Sequence, residues 1–97
     1  MSYSLSNQAE DDVIRIFIAG SRSFGVIQAE KYHDKLEQIF EYLAENPMVN
    51  REHFEFVPPI RIHPFESHLV IYLASERSGV NIIRVLHKHE DWRHKPL

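Results

Sequence analysis

The sequence predicts an α+β fold in the order βααβββ: an N-terminal strand and a two-helix antiparallel hairpin packed on an antiparallel β-sheet. Two observations predict it. Apolar residues recur at steps of three and four from Ala9 to Leu43, the period of helices with one buried face. From Ile60 onward the pattern changes to "IRIHPF", "HLVIYLA" and "VNIIRVLH", which are strand-length runs separated by short turns. The 97 residues form one domain, 1–97, with no internal repeat, low-complexity segment or linker.

Each element has its own reason. "YSLS" alternates Tyr3 and Leu5 against Ser4 and Ser6 and reads as a short first strand at the sheet edge. "NQAE" reads as a capping box, with Asn7 accepting from an early helix N–H and Glu10 reaching back. Ala9, Val13, Ile16, Phe17 and Gly20 then share a helix face, and Asp11 and Asp12 fall near the positive end of the helix dipole. Gly20 reads as the residue that stops this helix, with "SRSFG" as the connection. Ala29, Tyr32, Leu36, Ile39, Phe40 and Leu43 define the second helix. Asn46-Pro47 ends it, because the residue before proline is pushed out of the helical region. In the sheet, Ile60 and Ile62 alternate with Arg61 and His63, and the near-continuous run "HLVIYLA" predicts a strand covered on both sides. "SERSG" supplies a turn, with Gly79 available for a positive φ.

Composition excludes several functions. There is no cysteine, which removes disulfides, thiolate chemistry and Cys-based zinc sites and is compatible with a reducing cytoplasm. The start, "MSYSLSNQAEDD", has neither the basic nor the apolar segment of a secretion signal, and no apolar run approaches membrane-spanning length. The net charge of -3 does not draw the whole chain to nucleic acid, but acids dominate up to about Glu55 and bases from Arg61 onward. No phosphate-binding glycine loop and no Ser/His/Asp arrangement is present, and no cofactor is expected.

The chemistry-bearing residues gather late, in "NIIRVLHKHEDWRHK". Arg84 would share a strand face with Ile82 and Leu86, with its stem on the sheet and its head in water. His87 ends the last strand. His87 and His89 would project from one face of an extended strand as a weak copper or nickel chelate, but with no third ligand no metal site is assigned. Trp92 suits a role in pinning the tail, with its indole N–H at the rim. Tyr72 reads as core or core edge.

In order and spacing, "LSNQAEDDVIRIF", "AEKYHDKLEQIFEYLAENP", "IRIHPFESHLVIYLA" and "IIRVLHKHEDW" cover nearly the whole chain, and together they resemble the ParE toxins of the RelE/ParE superfamily. The resemblance implies the toxin half of a bacterial type II toxin–antitoxin module. Such a toxin acts in the cytoplasm, poisons DNA gyrase and is held inactive by a ribbon-helix-helix ParD-type antitoxin, through which alone it meets operator DNA. It also leaves a RelE-like, ribosome-dependent mRNA endoribonuclease as the alternative, in which Arg61, Arg84 and His87 would supply charge and acid–base chemistry. RNA cleavage needs a base for the 2′-hydroxyl, a cation for the phosphorane and an acid for the leaving oxygen. RelE-type enzymes place lysines before the second strand, whereas "REHFEFVPP" offers Glu52 and Glu55 there and no Lys. The expectation is therefore a binding toxin without chemistry of its own. An acidic antitoxin tail would meet Arg61, Tyr72 and Arg84, and the tail residues Trp92, Arg93, His94 and Lys95 would face the target. The family glycine after the helix-ending proline is absent from "NPMVNREH", and Asn50 is expected to take its positive φ.

Overall fold

A computed structural model describes residues 2–77, 79–94 and 97. The chain runs β1 (Tyr3–Leu5), α1 (Asn7–Phe24), α2 (Val26–Glu45), β2 (Glu52–His53), β3 (Ile60–Phe65), β4 (His68–Ser75), β5 (Gly79–His87) and a 3-10 turn (Trp92–His94). The strands form one sheet in the order β1-β5-β4-β3-β2. β1 lies parallel to β5 and every other pair is antiparallel, so the expected antiparallel sheet carries the first strand at its edge in parallel pairing. The two-residue β2 is too short to leave an alternation in the sequence.

The helix hairpin is tighter than its pattern suggests. Ser6, not Asn7, caps α1: its hydroxyl accepts from Ala9 N–H at 3.0 Å and donates to Ile83 C=O at 2.8 Å, fastening the helix start to β5. Glu10 sits in the first turn, while Asp12 lies deeper in the helix and is buried. Gly20 does not end α1. It faces Ala29 of α2, and a Cβ placed on it would stand 3.6 Å from the Ala29 Cβ. The helices are joined by one residue, Gly25, at φ 89° and ψ 161°, a conformation that L side chains rarely adopt.

Apolar clusters lie on both faces of the sheet. Leu36, Phe40 and Leu43 of α2 pack on Val70, Tyr72, Val80, Ile82 and Val85. On the opposite face Ile60, Ile71 and Leu86 are covered by Phe56 and Trp92. The run in β4 is thus two-sided, as its composition predicts. The alternation of β5 breaks at a bulge: Tyr72 pairs with Ile82 and Ile71 with Arg84, leaving Ile83 as the extra residue. Beyond it Val85 turns to the helices and Leu86 to the other face, so Arg84 does not share a face with Leu86. Gly79 takes φ 77°, and a Cβ there would come within 2.3 Å of Ser2 C=O, the acceptor for Val80 N–H.

Candidate functional site

The expected site residues fall into three places. At the first, Arg84 leaves the β5 bulge toward α1. Its Nε donates to Asp12 Oδ2 at 2.7 Å and its NH2 to Asp12 Oδ1 at 3.0 Å. Val85 N–H donates to the same carboxylate at 3.0 Å, and Arg15 of α1 adds a further ion pair. Burial alone would raise the Asp12 pKa. The bonds from Arg84, Val85 and Arg15 outweigh it, and the carboxyl sits below its ordinary value. Arg84 is pushed up chiefly by its bonds to Asp12. The guanidinium head is therefore held inside the fold and does not lie free in water.

At the second, Arg61 of β3 lies opposite Tyr72 on β4. It donates to the Asn50 carbonyl and approaches Glu52 at 3.5 Å. Asn50 uses both amide protons, on His63 Nδ1 at 2.9 Å and on the Tyr72 oxygen at 3.1 Å, and Tyr72 donates to Pro47 C=O at 3.1 Å. Asn50 is thus a hydrogen-bond node. It does not take a positive φ, which among the described non-glycine residues belongs to Glu66. Tyr72 has no exposed area and offers a partner no direct contact; burial raises its pKa.

At the third, Trp92 stacks on Phe56 with centroids 6.0 Å apart and meets His53 edge-on. Arg93 folds back over the Trp92 ring at 4.6 Å and pairs with Glu55 at 3.2 Å. His94 Nδ1 contacts Asp91 at 2.7 Å. Lys95 lies outside the described residues.

A groove of about 640 Å³ runs between α1 and the ends of β4 and β5. Ile16, Ala19 and Phe24 make one wall, His68 and His87 the other, with Arg84 and Asp12 between them. Burial, then His87, pull the His68 pKa down, and Glu90 acts in the opposite sense. Arg84 and His87 share this groove; Arg61 is not part of its lining. The groove escaped sequence reasoning because its walls are far apart in the chain. The one available signal was Asp12, an acid on the otherwise apolar face of α1 beside Ala9, Val13 and Ile16. Among the described residues no group of three potential ligands could hold a metal, and no helix is long and apolar enough to cross a membrane.

Comparison with known proteins decides the family. The family model "ParE toxin of type II toxin-antitoxin system, parDE" matches residues 3–92. The chain belongs to the ParE toxin family. It is 34% identical over 86 residues to Toxin ParE1 of Caulobacter vibrioides, covering 89% of this chain and 88% of that one. To Toxin ParE1 of Mycobacterium tuberculosis (H37Rv) it is 30% identical over 89 residues, covering 92% and 91%. A solved structure, "Chromosomal ParDE TA system from P. aeruginosa", superposes with a TM-score of 0.74 at 19% identity, over 90% of this chain and 95% of that chain, and shows the shared fold. This ParE-family chain is thus a toxin of a type II toxin–antitoxin system, and membership implies an antitoxin partner.

Proposed function

We propose that this ParE-family toxin acts by binding rather than by cutting, that its target is DNA gyrase, and that a ParD-type ribbon-helix-helix antitoxin silences it in the cytoplasm. One observation carries the reading. Arg84, the strand arginine in the groove, is already neutralised by buried Asp12. A guanidinium committed to a carboxylate is a poor cation for a phosphorane, and Arg61, the other candidate, stands outside the groove. The antitoxin tail lies along the groove over Arg84 and reaches Arg61 at the sheet edge, while Tyr72 acts from behind by holding Asn50 in place. Operator DNA is met through the antitoxin. Trp92, Arg93, His94 and Lys95 form the target-facing end.

Purified protein is assayed for gyrase cleavage complexes and, separately, for mRNA cleavage on ribosomes. Gyrase poisoning without RNA cleavage is the expected result. RNA cleavage that falls by about 10²–10⁴-fold in His87→Ala would make the protein an acid–base ribonuclease instead. Because Trp92 covers the sheet, the tail is tested by Arg93→Ala with His94→Ala and not by truncation. Poisoning should fall while antitoxin binding persists. Undiminished poisoning would leave those residues as a solvated end.

A further inference from the structure

The polar wall of the groove holds a feature that the toxin assignment does not use. His68 Nδ1 lies 2.6 Å from the Tyr32 hydroxyl. When the Tyr32 hydroxyl donates its proton to this nitrogen, the Nδ1 lone pair is taken. That places the proton of a neutral His68 on Nε2. His87 is fixed in the same way by a different group: His89 N–H donates to His87 Nδ1 at 3.2 Å, which requires a lone pair there and puts the ring proton on Nε2. The two rings stand 5.5 Å apart, edge to face.

With Nε2–H on both rings, the two imidazoles form a pair of N–H donors. They do not form a metal chelate, since an Nε2 that carries a proton has no lone pair to give. We propose that His68 and His87 together bind a carboxylate on a partner peptide seated in the groove. The apolar wall of Ile16, Ala19 and Phe24 argues for a peptide with apolar side chains beside its acid and against a polynucleotide. Of the carboxylates that line the groove, Asp12 is satisfied by Arg84, Arg15 and Val85 N–H, and Glu90 accepts from His87 N–H at 3.1 Å. In the toxin reading, on which this step rests for the identity of its guest, the carboxylate belongs to the antitoxin.

Two measurements test the pair on the full chain. Long-range ¹H–¹⁵N spectra of the imidazoles should show Nε2–H on both His68 and His87 when neutral; an Nδ1–H form of either ring overturns the proposal. The protein is then titrated with two short amphipathic peptides of leucine and alanine, identical except for glutamate or glutamine at the polar positions. The glutamate peptide should bind about tenfold more tightly, the scale of a hydrogen bond to a charged group. The preference should collapse in His87→Ala, whose exposed ring can be removed without touching the core, and in His68→Phe. Equal affinity for the two peptides, or a glutamate preference that survives in folded His87→Ala, sinks the idea. So does a response of both rings to a single-stranded oligonucleotide but not to peptide. An antitoxin that binds wild type and His87→Ala equally well would sink the donor pair and leave the toxin reading standing. A failure of the antitoxin to bind wild type would sink that reading and leave the peptide result intact.

Discussion

Arg61 and Arg84 look alike in the sequence, each an arginine set among isoleucines on a strand, yet the fold gives them different jobs. Arg84 meets a buried carboxylate contributed by α1, 72 residues away. Arg61 meets a main-chain carbonyl, a thioether and a half-exposed glutamate around the loop that follows α2. The first is an ion pair with little water around it. The second is a neutral network with one exposed ion pair at its rim. The strand pattern says that a cation stands at each position; the partner decides whether it clamps the structure or props a loop.

That contrast should appear first in stability. Asp12→Ala leaves the Arg84 guanidinium and Val85 N–H without their acceptor in a poorly solvated place, and should cost about 3 kcal/mol in denaturant unfolding. Removing both charges with Asp12→Ala and Arg84→Met should cost less than Asp12→Ala alone, since no ion is then left unpaired. If the double variant were weaker than Asp12→Ala, the unpaired Arg84 charge would not be the source of the loss.

A pH titration separates the two nodes next. The folded pKa of Asp12 is depressed, so its contribution is complete above the unfolded carboxyl value of about 3.9 and is lost as pH falls through the lower folded value. Asp12→Asn should flatten the loss of stability in that acid window. Asn50→Ala should leave the window unchanged, because the node around Arg61 has no buried carboxylate; an altered acid slope in Asn50→Ala would contradict this.

The smallest effect belongs to Asn50→Ala itself. It frees His63 Nδ1 and one bond to the Tyr72 oxygen but leaves the main-chain carbonyl that Arg61 uses, and should cost about 1 kcal/mol. A loss as large as that of Asp12→Ala would mean that the amide, and not the carbonyl, anchors the loop.

What was legible in the sequence follows from the range of the forces involved. The second helix, the two-sided run of β4 and the pinning of Trp92 depend on apolar spacing, which is local and repeats. The single-residue hinge at Gly25 was missed because Gly20 offered an earlier stop, and only packing against Ala29 shows that α1 continues through it. Asn50 was assigned a backbone role by analogy with glycine, whereas its side chain bridges His63 and Tyr72. The Asp12–Arg84 clamp, the β5 bulge and the imidazole wall each join segments far apart in the chain, and no window of sequence contains both halves.

The close approach of Gly79 to Ser2 carries a consequence for the order of events when the protein is made. β1 is translated well before its hydrogen-bonding partners, Val80 to Ile82. Asp12 likewise waits for Arg84. The helical hairpin can form early, because its contacts are local, whereas the sheet closes only after β5 has been made. A ribosome that stalls before β5 would hold a chain lacking the strand that joins β1 to β4 and supplies one wall of the groove. Synthesis itself thus delays the finished sheet until β5 has emerged.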